Sequence, residues 1–191
     1  MAIFDISAPP IEPVNLDYAK VFLRVDNDDE DALITDLIRA ARERVETLIN
    51  AALISRPKRM IHSRLSEKGV FLNYGEVTQV TALRLTNGET ESDIPLTALS
   101  VNLRCQPPVI RLKERASFAS FDNRADTLEI DFTAGYGDSA DDVPMPLRQA
   151  VLLLLAQSYE YRGQDSAPPK VPPTVPMMVD ALLMPYRGVR L

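Results

Sequence analysis

Asp28-Asp29-Glu30-Asp31-Ala32-Leu33-Ile34-Thr35-Asp36-Leu37-Ile38-Arg39-Ala40-Ala41-Arg42-Glu43-Arg44-Val45-Glu46-Thr47-Leu48-Ile49-Asn50-Ala51-Ala52-Leu53 is the stretch that decides how the chain is read. Its apolar residues fall at Leu33, Ile34, Leu37, Ile38, Ala41, Val45, Leu48, Ile49 and Ala52. That is the i, i+3/i+4 spacing of an amphipathic helix. A helix over 28–53 is roughly 39 Å long and needs partners for its apolar stripe. The opposite face carries Asp36, Arg39, Arg42, Glu43 and Glu46. Arg39–Glu43 and Arg42–Glu46 are four apart, and on a solvated face each pair contributes about 0.2–0.5 kcal/mol. Asp28, Asp29, Glu30 and Asp31 place negative charge where the helix dipole favours it.

Upstream, Asn15 is a helix cap and Leu16 to Arg24 a short helix with Leu16, Ala19, Phe22 and Leu23 on one stripe. Residues 1–13, with Pro9, Pro10 and Pro13, read as an extended arm. Downstream, from 55 to 137, short apolar runs alternate with turn signals. The candidate strands are Arg59–Leu65, Val70–Asn73, Val80–Leu85, Val101–Leu103, Val109–Leu112 and Thr127–Thr133. Asn87-Gly88 is a hairpin pair, and Thr127 to Phe132 alternates with period two. Pro146 then suits a first helical turn, and Leu147 to Tyr161 is apolar nearly all round. Such a helix is buried on more than one side, which points to burial against a neighbouring subunit. Gly163 can end it. A proline-rich linker follows over 164–174, then a short helix, Met177 to Met184.

The reading is an α+β chain: an antiparallel helical bundle of about four helices with a small antiparallel β-sheet inserted between the second and third. The bundle takes 14–54 and 138–163, the β region 55–137, and a C-terminal docking segment 175–191.

Composition narrows the function. The 191 residues carry 21 Lys and Arg against 27 Asp and Glu, a net charge of −6. A general nucleic-acid coat needs the opposite balance. One cysteine, Cys105, and one histidine, His62, exclude an intrachain disulfide and a His/Cys zinc cluster. No basic n-region opens the chain, and the longest apolar run, Val151 to Ala156, is far short of the roughly 20 residues that span a bilayer. The expectation is a protein made in a reducing cytoplasm or in a particle assembled there.

The candidate chemistries are weak. Asp26, Asp28 and Glu30 begin like a calcium loop, but Asp31 stands where glycine is needed and Leu37 where a bidentate glutamate is needed. Gly135-Tyr136-Gly137 lacks the third glycine or Gly-Lys-Ser/Thr of a phosphate cradle. Arg56, Lys58, Arg59, Arg64 and Lys68 surround His62 and could touch phosphate; a charged sheet edge explains them as well. Cys105 reads as a small apolar residue. No catalytic, metal or cofactor site is expected. The two rival functions are a DNA-binding regulator using residues 56–68 and a small hydrolase using His62.

Several stretches, in order and spacing, resemble one family. They are Pro13-Val14-Asn15-Leu16-Asp17-Tyr18-Ala19-Lys20 through Asp26, Asp28 through Glu46, Phe132-Thr133-Ala134-Gly135-Tyr136-Gly137 with Val143-Pro144 and Pro146 to Ala150, and Leu182-Leu183 with Pro185-Tyr186-Arg187. The chain resembles the head–tail connector (adaptor, head completion) proteins of tailed bacteriophages and of phage-derived gene transfer agents. That resemblance implies a structural ring of about twelve subunits at the neck, below the portal protein. The ring would extend the DNA channel without binding DNA specifically and would present a platform to a tail-side stopper or completion protein. Neither a membrane nor a cofactor is implied. On this reading Arg39, Arg42, Glu43, Glu46, Leu152 and Leu155 form the subunit interface. Met177, Met178, Leu182, Leu183, Tyr186, Arg187 and Arg190 are the portal-docking residues, adaptable apolar anchors followed by charged donors.

Overall fold

A computed structural model describes residues 2–62, 69–86, 91–113, 127–161 and 175–188. The chain divides into two compact units, Met1–Pro10 with Ser55–Gly135 and Ile11–Ile54 with Tyr136–Val189. The Asn87-Gly88 turn, Arg64, Lys68, Gly163, the 164–174 linker and Arg190 lie outside the described residues.

The helical unit holds α1 (Leu16–Leu23), α2 (Asp31–Ile49), α3 (Met145–Glu160) and α4 (Met177–Leu183). The Asn15 side chain accepts the Tyr18 N–H at 2.8 Å and so starts α1. Arg24 ends it in the left-handed region at φ 58°, its N–H and that of Val25 turning back onto the Val21 and Lys20 carbonyls. Asn50, at φ 54°, ends α2 in the same way. The helix is therefore shorter than its apolar pattern: Ala51, Ala52, Leu53 and Ile54 stay buried after it has stopped. Apolar periodicity reports burial, and burial continues into the segment leading away from the helix. α3 packs against α1, α2 and α4, with Leu147, Ala150, Val151, Leu152, Leu154 and Leu155 in the core. Val179 and Leu183 of α4 are fully buried in that same core.

The β unit corrects the expected fold class. In place of one small sheet appended to a bundle there are two antiparallel sheets with a core of their own, and among the described residues strands outnumber helices. The strands are β1 (Ala2–Asp5), β2 (Arg56–His62), β3 (Val70–Phe71), β4 (Val77–Thr86), β5 (Glu91–Asp93), β6 (Leu99–Asn102), β7 (Val109–Leu112) and β8 (Thr127–Ala134). One sheet has the order β1-β2-β8-β4-β5 and the other β3-β7-β6.

The strands are masked in the sequence for physical reasons. β1 has no apolar alternation to announce it and is held by pairing with β2. The inward positions of β2 are Arg56, Lys58 and Met60, so two buried cations disguise a strand face. In β4 the buried residues Val77, Val80, Leu83 and Leu85 are spaced three, three and two apart. Register shifts between Val77 and Gln79 and between Val80 and Ala82 absorb the extra residues as bulges. Only β8 keeps a clean alternation: Leu128, Ile130, Phe132 and Ala134 face the core, and Glu129 and Asp131 face the other way.

Candidate functional site

In the helical unit the charges of α2 are not all on a solvated face. Arg42 and Glu46 are buried and paired at 2.9 Å. The Arg42 Nε also donates to Glu12 at 2.8 Å, and Glu46 accepts the Leu53 N–H at 2.8 Å. One i, i+4 pair thus ties α2 to the segment before α1 and to the segment after its own end. A second tie joins α1 to the start of α2: the Lys20 ammonium bridges Asp28 at 2.5 Å and Asp31 at 2.7 Å. Its hydrogen bonds to Asp28 and then to Asp31 push the Lys20 pKa up to about 12, and the one it donates to Asp28 holds that carboxyl below the usual carboxylate range. Tyr159 of α3 donates to Glu30. Asp28, Glu30 and Asp31 of the acidic run therefore fasten helices together.

In the β unit the cations of the 56–68 cluster that are described have acid partners. Asp5 of β1 accepts from Arg56 at 2.7 Å and pairs with Lys58 at 2.5 Å. Burial opposes ionisation of Asp5, but the hydrogen bonds from Arg56 and Lys58 outweigh it and lower its pKa. The Lys58 ammonium also lies 4.9 Å from the Tyr74 ring centre, and that ring meets Phe132 edge-on. On the non-core face Asp131 of β8 takes a bidentate contact from Arg59 of β2, at 2.6 and 2.9 Å, and a third from Arg84 of β4 at 2.7 Å. Glu129 meets both arginines, at 3.1 and 3.5 Å. The register dictates this, since Arg59 lies opposite Asp131 and Arg84 opposite Glu129. The Arg59 hydrogen bond, then that of Arg84, overcomes burial to hold the Asp131 pKa low.

Arg39 and Glu43 are exposed, whereas Arg42, Glu46, Leu152 and Leu155 are buried inside one copy of the helical unit. An apolar surround for α3 is supplied by the other helices of the same chain. Met177 and Met178 are 90% and 64% exposed, but Leu183 is core, Leu182 and Tyr186 pack against the core, and Arg187 pairs with Asp180 at 2.6 Å. Glu12, Lys20, Asp5, Arg84 and Asp131, which the sequence did not single out, are the residues that organise charge. Among the described residues no group of three or more His, Cys, Asp or Glu is arranged to hold a metal ion. No described helix is long and apolar enough to cross a membrane.

A family model, described as "Head completion protein", matches residues 14–189, nearly the whole chain. The chain belongs to the head completion protein family.

Solved structures similar to this head completion protein come from gene transfer agent particles. A chain in the neck of an empty particle, computed with C6 symmetry, matches with a TM-score of 0.77 and 28% identity over 100% of this chain and 97% of its own. One in the virion of a native particle gives 0.78 and 30% over the same shares. One in the neck of a native particle, computed with C12 symmetry, gives 0.71 and 29%, again over 100% and 97%. A search of the curated proteins finds no match.

Proposed function

We propose that this head completion protein is a structural, non-catalytic head–tail connector, one subunit of a ring of about twelve at the neck of a phage or phage-like particle. The portal protein would lie on one side of the ring and a tail-side stopper or completion protein on the other, with DNA passing through the lumen. The observation that carries the reading is the full-length likeness to neck chains of gene transfer agents, with both sequence and fold preserved. The chemistry agrees. Scaffolding needs satisfied charges and rigid units, and Arg56, Lys58, Arg59 and Arg84 all spend their charge on acids of the same chain. Cations neutralised in this way do not grip phosphate, which favours a sliding conduit over a DNA-binding regulator.

Portal docking narrows to the exposed Met177 and Met178, since Leu183 is core. Methionine pairs fit an irregular partner surface well.

Removing the protein from cells that produce the particle tests the role. The expected result is DNA-filled heads and free tails that do not join, with the portal in place. Normal tailed particles would overturn the proposal. Met177→Ser with Met178→Ser should leave the melting temperature unchanged and lower incorporation into portal-bearing heads.

A further inference from the structure

α1 is apolar on two sides. Ala19 is fully buried, and Leu16 and Leu23 pack against the helical core. Tyr18, Val21 and Phe22, at i, i+3 and i+4, share the other side and are 46%, 74% and 36% exposed. None of the three belongs to the apolar core of their own unit. Such a stripe on a two-turn helix is costly in water unless something covers it.

We infer that the outward stripe of α1 is one half of the copy-to-copy contact of the ring, seated against the Arg39 and Arg44 region of α2 on the next copy. The inference deepens the ring reading above and rests on it. A cyclic assembly joins two unlike surfaces of each subunit, head to tail, so the stripe needs a different surface on its neighbour. Charge selects that surface. Asp17 on α1 and Asp26 and Asp29 just after it are exposed and form no ion pair among the described residues. Arg39 and Arg44 on α2 are likewise exposed and form none among the described residues. The match is one of balance: Asp17, Asp26 and Asp29 outnumber the exposed Arg24 at the end of α1, and Arg39 and Arg44 outnumber the exposed Asp36 on α2.

Area explains when the contact forms. Three side chains on an eight-residue helix fall well short of the roughly 800 Å² per partner of a stable complex. The free chain should therefore be monomeric, and the contact should form once neighbouring copies are held side by side at high effective concentration.

The test places a photo-crosslinking residue at position 21 of the full-length chain and assembles it into particles. The expected products are chain–chain crosslinks in peptides spanning α2, absent from the unassembled monomer. Val21→Asp, at a position 74% exposed, should leave the melting temperature unchanged and lower incorporation into necks about tenfold or more, as should Arg39→Glu with Arg44→Glu. Crosslinks to the portal or a tail-side protein, or no crosslinks in particles that show a ring, overturn the α1 contact and leave the ring reading standing. Particles that contain the protein but show no ring overturn both.

Discussion

The helical unit and the β unit handle charge in opposite ways. Residues 11–54 and 136–189 hold 16 acids against 9 bases, whereas residues 1–10 and 55–135 hold 11 of each. The whole acidic excess of the chain thus belongs to the helical unit. There most charges stay outside, and one buried pair, Arg42–Glu46, fixes α2 to its flanking segments. In the β unit charges are matched across strands, with Asp5 serving two cations and Asp131 two arginines. A helix can neutralise itself locally at i, i+4. A sheet needs partners from distant parts of the chain, and Arg59 reaches Asp131 across 72 positions.

The largest effect that would break this contrast is on α2. Arg42→Met leaves Glu46 buried without its partner and should cost about 3–5 kcal/mol in urea unfolding. Adding Glu46→Leu should restore only part of the loss: an apolar pair of similar volume avoids desolvating two ions, but the buried Leu53 N–H loses its acceptor. No loss in the single variant would mean that the pair is solvated and the distinction between units is false.

The β unit should come next. Asp131→Asn should cost about 2–3 kcal/mol at neutral pH, by weakening hydrogen bonds to two arginines. Asp5 and Asp131 have folded pKa values below the unfolded value near 4, so the stability they contribute is fully present above that value. It is lost as the pH falls through the depressed folded values. Asp28 of the helical unit is held low as well, but its side chain is exposed and water screens the pair, so amide exchange at pH 3 against pH 7 should show the β unit opening more than the helical unit, and Asp131→Asn should flatten that difference. Equal loss of protection in both units would contradict the assignment.

Smaller effects sharpen the picture of the helical unit. Asn15→Ala removes the acceptor for the Tyr18 N–H and should cost about 1 kcal/mol. Arg39→Ala, on the exposed side of the same helix that buries Arg42, should stay within about 0.5 kcal/mol in thermal unfolding.

What the sequence made legible follows from which interactions are local. The Asn15 cap that starts α1, the apolar stripe of α2 and the alternation in β8 are all written within a few residues of where they act, whereas α2 starts at Asp31 rather than Asp28. β7 runs over Val109–Leu112, the same bounds as its apolar run. Non-local features were hidden. The spacing of Arg42 and Glu46 is that of an ordinary surface pair, and nothing near it shows that Glu12 and the Leu53 N–H will close over it. β1 exists only because β2 lies beside it, and two bulges break the pattern of β4. The apolar surround of α3 was legible as burial but not as burial by the chain's own helices. Leu152 and Leu155 are therefore covered within the chain itself, and Phe22, which the spacing puts on the packing stripe of α1, instead lies exposed beside Tyr18 and Val21.

The most direct test of the central claim is an image of the neck of a particle containing this chain, averaged at a resolution that distinguishes subunits. The expected image is one closed ring of copies of the chain, about twelve, between the portal and the first tail-side protein. Copies found elsewhere in the particle, or a neck in which the chain forms no closed ring, would contradict it.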